Sequence, residues 1–448
     1  MKIDQAYNIH FNSIPVQSIW SESVRESRPS YPALTGDRST EVLVIGAGLA
    51  GILTAWQLKQ AGISCIIAEA GRIGSGVTRN TTAKITAQHG LIYDQLLQRL
   101  GPEQARLYYD ANTQAIEDYR RLASAFPCHF EEQHAYVYSL NDRAKLEREA
   151  AAYAKLGIQT KIKEEINLPF PTAGAITMEK QAQFNPLELL TALSGELDIA
   201  EHTFIRAIEG NKAITGQGVI RAKHIVLATH FPLVNIPGLY ILKLYQHRSY
   251  VLAVKGVPLP DGMYVDERQN GHSFRTCNGL LLLGGGDHKT GKQGGNYSEL
   301  AALAATMSPH AEIKYRWAAQ DCMTLDNIPY IGRHRSGSNN LYVATGFNKW
   351  GMTGSMVASK LLCDLIRNGT SELEMLYSPQ RSIWTKQLVV NAGSATAGLL
   401  TPGGPRCPHM GCKLRKNNAE GTWDCPCHGS RFDEAGHVID NPAKKGIR

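Results

Sequence analysis

The six residues from Gly46 to Gly51, Gly-Ala-Gly-Leu-Ala-Gly, constrain this chain more tightly than any other segment. They follow an apolar β-type run starting at Glu41 and open a helical pattern closed by Gly62, after which ISCIIAEA supplies a second β-run. That order is a βαβ unit. Gly46 permits the tight turn, Gly48 lets the backbone approach a pyrophosphate, and Gly51 allows close packing of the helix. A phosphate bound there sits on the helix N-terminus, where N–H groups and the helix dipole favour negative charge. Glu69, eighteen positions after Gly51, stands where a carboxylate accepts hydrogen bonds from both ribose hydroxyls of an adenosine. Strand, glycine triplet, helix, strand and acid in this order predict a dinucleotide site rather than a bland glycine-rich turn.

At 448 residues, 43% hydrophobic and 19% charged, the chain has material for two or three cores and is neither fibrous nor disordered. Its formal charge of +7 is scattered, without the basic block or aromatic interleaving of nucleic-acid surfaces. No stretch approaches the length of a membrane span and the first residues lack the apolar segment of an export signal, so the expected location is the cytoplasm.

Residues 1–39 read as an arm lying across a domain, and 40–370 as one oxidoreductase domain. Within it, about 40–90, 200–235 and 320–370 are expected to bind the dinucleotide, and about 91–199 and 236–319 to bind substrate. The stretch from about 91 to 200 is mostly helical in period, and short strands then dominate to about 290. A helix is expected at 297–307, and a strand, a glycine turn and a long helix ending at Gly369 follow. LLLLGGGDHKTG lacks the spacing of a second nucleotide loop, so Gly284 to Gly286 read as a turn and no separate NAD(P)H domain is expected. The Gly-, Ser-, Thr- and Pro-rich segment 371–400 reads as a linker to a C-terminal domain at 401–448.

A fingerprint near the N-terminus, with a large domain interrupting the nucleotide fold, suits FAD better than NAD. The Gly346-Phe347 turn before a helix starting near Met352 supports this: it aims N–H groups and a positive dipole at the pyrimidine edge, where reduced flavin is negative.

Nine cysteines divide into two groups. Cys65, Cys128, Cys277, Cys322 and Cys363 stand alone and read as small hydrophobes. The other four crowd into the C-terminal tenth, where Cys407-Pro-His409 and Cys425-Pro-Cys427-His428 make C-x-H and C-x-x-H arms on Gly/Pro-containing loops. Such arms hold a [2Fe–2S] cluster, two thiolates on one iron and two imidazoles on the other, and the neutral histidines raise its potential. Structural zinc is the alternative, although a C-x-H arm is unusual for it.

Residues 40 to about 370 resemble the D-amino-acid-oxidase-like flavoproteins, a superfamily with glycine, sarcosine and γ-glutamylputrescine oxidoreductases. The resemblance rests on VIGAGLAG, AEAGRIGSGVTRNTTAKITAQHG, VLATH, the WAAQDCMTLDNIPYIG run and LYVATGFNKWGMTGS. It implies an α/β fold in which a Rossmann-type FAD-binding domain is interrupted by a mixed-sheet and helical, α+β substrate domain. It also implies that Gly46, Gly48, Gly51, Glu69, Arg72, Ser75, Thr78 and Thr82 contact the adenosine, pyrophosphate or ribityl regions, and Gly346, Phe347, Gly351 and Thr353 the ring. Some relatives attach flavin to a cysteine, but Ala319 holds that register here, so non-covalent FAD is expected. CPHMGC and CPCHGSRFDEAGHVIDNPA resemble Rieske domains, which implies a small all-β domain, a disulfide between Cys412 and Cys427, and donation from Ser430 to a sulfide. With about twenty linker-like residues between Trp384 and Cys407, this domain is abbreviated, so its support comes from the flavin domain or is lacking.

The expected reaction is hydride removal from a C–N carbon of an amine or amino acid to flavin N5, with electrons leaving singly through the cluster to a carrier such as ferredoxin or quinone. A cluster-fed flavin reductase or monooxygenase, and a non-enzymatic electron-transfer protein, are the alternatives. Lys84, His89, His247, Arg248 and Tyr250 are the candidates near the ring, the last three on one strand expected to line the substrate side. Lys349 and Trp350 flank the flavin turn.

Overall fold

In the computed structural model, which describes residues 14–447, the apolar run Val42–Ile45 is buried within the strand Arg38–Ile45. Cys65–Ala68 and Val219–Leu227 flank that strand in parallel, and Asp198–Ala200, Leu341–Thr345 and Tyr330–Arg333 extend the sheet outward. Parallel neighbours require a crossover, which the helix Leu49–Gln60 supplies. It packs against the helix Gly351–Asn368, which buries Met352, Met356, Leu361 and Leu365 and stops at Gly369 with a left-handed φ of 77°.

A second, nine-stranded sheet is led by the long antiparallel pair Leu244–Lys255 and Glu312–Thr324. Leu280–Lys289, Ser273–Cys277, Met263–Asp266, Glu131–Ser139, Gly174–Gln183 and Lys84–Ile85 follow in order. Two expectations are corrected here. The region from 91 to 200 is not mostly helical, because Glu131–Ser139 and Gly174–Gln183 are long paired strands beside the helices Tyr93–Ala125, Arg143–Lys155 and Pro186–Ser194. Consecutive buried residues such as Ala135 to Ser139 carry neither helical nor alternating period, so pattern alone misassigns them. Gly284 to Gly286 are likewise not a turn but lie inside the strand Leu280–Lys289. A Cβ on Gly284 would lie 2.6 Å from Ser273 Oγ, and Gly286, at φ 68°, sits at a β-bulge.

The N-terminal arm, whose first thirteen residues lie outside the described ones, packs over this body from residue 14 and buries Trp20, whose indole N–H donates to the Thr81 carbonyl at 2.8 Å. The segment 371–400 is not irregular: it forms the short helix Glu374–Tyr377 and the helix Lys386–Leu400. Its Gly398 serves close approach rather than flexibility, since a Cβ there would lie 2.7 Å from Cys427 Sγ. Beyond it, Arg415–Asn417, Thr422–Asp424, Arg431–Phe432 and Val438–Asp440 form a small antiparallel sheet. No helix among the described residues is long and apolar enough to cross a membrane.

Candidate functional site

At the nucleotide loop, Gly46 has φ 107° and a Cβ there would lie 2.6 Å from the Ala228 oxygen, while one on Gly51 would lie 1.9 Å from the Gly46 oxygen. Loop and helix therefore meet only as glycine. Glu69 accepts the N–H groups of Ala47 and Gly71, each at 2.8 Å, and burial raises its pKa against those donors. Thr78 Oγ1 accepts the Leu49 N–H at 3.0 Å in the first helical turn, and Ser75 lies beside Gly71. Arg28, from the arm, donates to the Ile73 carbonyl, and Arg72 donates to the Pro29 carbonyl at 2.8 Å. The Nε atoms of both are buried without a hydrogen-bond partner among the described residues. Burial, then the neighbouring charge of Arg72, lowers the Arg28 pKa. The left-over Arg28 Nε beside a helix N-terminus and a glycine cradle fits a pyrophosphate, whereas the Arg72 Nε already faces the Glu201 carboxylate at 3.8 Å. Arg28 went unnoticed in the sequence because nothing in the polar arm marks it.

The second glycine turn is equally tight. Gly346 has φ 70°, and a Cβ there would lie 2.3 Å from Thr324 Cγ2. Asn348 locks the turn, its Oδ1 accepting the Thr324 N–H at 2.9 Å. Phe347 packs on Gly354, and Gly351 opens the helix. Thr353 Oγ1 lies 3.0 Å from His89 Nε2, and it donates to the Thr86 carbonyl at 3.1 Å. His89 also accepts from the Tyr108 hydroxyl at 2.6 Å and donates to Thr86, and it stacks on Trp350. With both ring nitrogens engaged and burial pushing it down to about 3, His89 is a neutral brace. Lys84 is buried, donates to Thr82 Oγ1 at 3.2 Å, and is pushed down to about 7 by burial and by the charges of Arg275 and Lys349.

The strand Leu244–Lys255 corrects the expectation that His247, Arg248 and Tyr250 line one side, because neighbouring strand residues point to opposite faces. Arg248 pairs with Glu420, and Asn417 Nδ2 donates to the Tyr250 hydroxyl at 3.4 Å, so both reach the C-terminal domain. His247 is on the other face with Tyr245, opposite Lys289 and Asp321 on the adjacent strands. Lys349 Nζ joins this polar group, 2.7 Å from Asp287 Oδ1. Burial pushes the Asp321 carboxyl up to about 7, with Lys349 opposing and Asp287 reinforcing. Burial likewise pushes His247 down to about 3. The only sequence signal for Asp287 and Asp321 was an acid inside an otherwise apolar strand, GGGDHK and AAQDCM.

In the C-terminal domain, Cys412 and Cys427 are joined as a disulfide, which ties the two loops carrying the other donors. Sulfurs of Cys412, Cys425 and Cys427 lie within 4.8 Å of one another, but the disulfide leaves Cys425 the only thiol of the three. Cys407 and Cys425 are buried and hydrogen-bonded to each other, which pushes the first down to about 6 and the second well up. The His409 and His428 rings stand 5.1 Å apart at 88°, and the Nδ1 of each is buried without a hydrogen-bond partner among the described residues. The His428 ring donates instead to the Ile241 carbonyl, and burial pushes it down to about 3. Two neutral imidazoles with open lone pairs, one oriented by a backbone carbonyl, beside two thiols sharing a proton, fit a two-nitrogen, two-sulfur metal site. Ser430 Oγ bonds the Cys407 sulfur and accepts the Ala443 N–H at 3.0 Å.

The flavin domain supports this abbreviated site. Gln320 Nε2 donates to the Gly429 carbonyl at 2.9 Å, and Thr290 donates to Gln320. A Cβ on Gly429 would lie 2.2 Å from Gln246 Cγ. Asn441 Nδ2 donates to the Thr229 and Phe231 carbonyls, both at 2.8 Å.

Comparisons with known proteins agree with this two-part arrangement. Residues 41–365 match the family described as FAD dependent oxidoreductase, and residues 370–448 match the Rieske [2Fe-2S] domain. The chain is 34% identical to a Bacillus subtilis (strain 168) protein, YhfW, named for a Rieske 2Fe-2S centre, over 98% of this chain and 99% of that one. Gamma-glutamylputrescine oxidoreductase of Escherichia coli (strain K12) is 21% identical over 80% of this chain and 90% of its own. The crystal structure of glycine oxidase from Geobacillus kaustophilus superposes with a TM-score of 0.66 at 20% identity, over 77% of this chain and all of that one.

Proposed function

The chain belongs to the FAD-dependent oxidoreductase family and carries a Rieske [2Fe–2S] domain, and from that premise we propose that it oxidises a C–N bond of an amine or amino acid and passes the electrons singly to an external acceptor such as ferredoxin or a quinone. The observation that carries this reading is the seating of the Cys425–Gly429 loop on the strands whose other face carries His247 and Asp321. In this reading a two-electron and a one-electron centre would stand on opposite faces of the same strands.

FAD would be held without a covalent bond by Gly46, Gly48, Gly51, Glu69, Arg72, Ser75, Thr78 and Thr82, with Arg28 added, and at its ring by Gly346, Phe347, Gly351 and Thr353. The cluster would be held by Cys407, His409, Cys425 and His428. When bound, flavin supplies a hydride acceptor and the cluster a one-electron acceptor. Asp321, its carboxyl near 7, is placed to take a proton from a substrate ammonium so that the nitrogen lone pair assists C–H cleavage. Lys349, fixed by Asp287, orients the polar end of the substrate. His89, Asn348 and Thr353 keep the flavin turn rigid.

Anaerobic titration of the purified protein with amines and amino acids tests the reading. The expected result is flavin bleaching followed by the rhombic EPR signal of a reduced His-ligated cluster. Zinc in place of iron and sulfide, or bleaching that never reaches the cluster, would overturn it.

A further inference from the structure

A cavity of about 1090 Å³ opens between three parts of the molecule: the loop 291–296 after the strand Leu280–Lys289, the helix Lys386–Leu400, and residues 413–419 of the C-terminal domain. Its inner wall is the second ligand loop. Pro426 lines it beside Cys425, a Cβ on Gly291 would lie 2.5 Å from the Pro426 nitrogen, and one on Gly398 would lie 2.7 Å from Cys427 Sγ. The walls carry one sign of charge. Lys292, Lys413, Arg415 and Lys416 line them, and Asp424 is the single acid among the described lining residues. Asp424 is buried and faces Arg431 at 3.1 Å, while Lys416 pairs with Glu434 at 2.6 Å. Lys413 donates to the Pro402 carbonyl, which leaves its charge unopposed. Lys292 and Arg415 are exposed and stand in no ion pair among the described residues. Beside the mouth, Val389, Val390, Leu399 and Leu400 expose aliphatic surface on the helix.

Resting on the Rieske reading above, we propose that this face docks an acidic one-electron carrier protein whose potential lies above the cluster's, and that electrons leave past Pro426. Cations exposed on a rim beside exposed aliphatic side chains fit a macromolecular surface, whereas a small anion's site encloses the groups that hold it. A second copy of this face would bring like charges together. The basic rim speeds encounter and orients the carrier, and the aliphatic surface holds it once seated. Each transfer oxidises the reduced cluster by one electron and reduces one oxidised carrier. No bond forms or breaks, and two carriers are served for each two-electron-reduced flavin, whose protons leave to solvent. His428 packs instead on Phe231 of the body, ring centroids 6.3 Å apart, so electron entry and exit use different sides of the ligand set.

The test takes the full holoprotein, reduces its cluster anaerobically with dithionite, and mixes it by stopped flow with an oxidised acidic c-type cytochrome, a basic c-type cytochrome, or the neutral acceptor decylubiquinone. The acidic cytochrome is expected to oxidise the cluster faster than the basic one, and added salt to slow it. In Lys292→Glu/Arg415→Glu that rate should fall by about tenfold or more at low ionic strength, with the deficit shrinking at high salt. The rhombic EPR signal and the decylubiquinone rate should stay as in the unmodified protein. Lys212→Glu/Lys255→Glu makes the same change in net charge at exposed positions outside the cavity and should leave the rate unmoved. Equal slowing in both variants, no slowing in the first, or a matching fall with decylubiquinone overturns the proposal. Co-sedimentation of the unmodified protein with phosphatidylglycerol vesicles, lost in Lys292→Glu/Arg415→Glu, would assign the face to a lipid surface and also overturn it. Absence of iron and sulfide from the unmodified protein would instead remove the Rieske reading, and the proposal with it.

Discussion

The flavoprotein body and the C-terminal domain are stabilised by different means. The first buries aliphatic and aromatic side chains such as Val42, Ile52, Leu53, Tyr119 and Leu361, all 1% exposed or less, in a continuous core between sheet and helices. The second has a buried core of Cys407, Cys412, Leu414, Cys425, Cys427, Phe432 and Ala443, in which four of seven residues are cysteines. So small an apolar core cannot offset the entropy of ordering its own loops. A disulfide and buried ion pairs supplement it, and the proposed metal-ligand set would add to them. Arg431 sits among Glu420, Asp424 and Asp440, and Glu420 also pairs with Arg248 of the body. Order in the small domain is therefore expected to depend on its metal and on docking, and order in the body is not.

Removing a ligand is the harshest way to break that contrast. Cys407→Ser should abolish the rhombic EPR signal and make the segment beyond about residue 400 protease-sensitive, while FAD content is retained; structural metal sites contribute on the order of 10 kcal/mol. Equal loss of FAD would show that the two regions are not separable. Glu420→Ala strands the buried Arg248 guanidinium while Arg431 keeps Asp424 and Asp440, and should weaken docking by about 3–5 kcal/mol. Thermal bleaching of the cluster should move to lower temperature with the flavin transition fixed. Cys427→Ser opens the bridge to Cys412, fifteen residues away, and should cost about 3 kcal/mol. The EPR signal should survive at low temperature because all four proposed ligands remain, with only its heat resistance reduced.

The same contrast decides what could be read from the chain. Gly51 and Gly369 announce themselves because the need for glycine arises within a few residues of each, and Gly46 because its φ of 107° adds a local need to its close approach to Ala228. The cluster arms are legible for a similar reason, since ligand spacing is local. Gly398 misleads, as it reads as linker flexibility when its cause is a sulfur atom on another loop. Glu131–Ser139 was obscured because burial on both faces erases periodicity. Arg28, Asp287 and Asp321 take their meaning from groups distant in sequence, Ile73 and Lys349 among them. The platform made by Gln246, Gln320 and Asn441 is invisible for the same reason, because its contacts cross between the two regions.

Asp321 sharpens the comparison from the flavin side. Burial pushes its carboxyl from the usual carboxylate range up to about 7, and Asp287 adds to the shift against the opposing charge of Lys349. A carboxyl raised in this way stays protonated below its pKa, where it cannot accept a proton from a substrate ammonium. The rate of substrate-dependent flavin bleaching should therefore rise with pH up to about 7 and level off above it. Asp321→Asn should remove that inflection and slow bleaching about 100-fold, a barrier increase of about 2.7 kcal/mol. Lys84, also near 7, would titrate in the same window, so survival of the inflection in Asp321→Asn would transfer the role to that lysine. The profile should also persist in Cys407→Ser, since on the proposed reaction proton and hydride leave the substrate within the flavin body. Its loss there would mean that the small domain shapes the surroundings of Asp321 as well as receiving electrons.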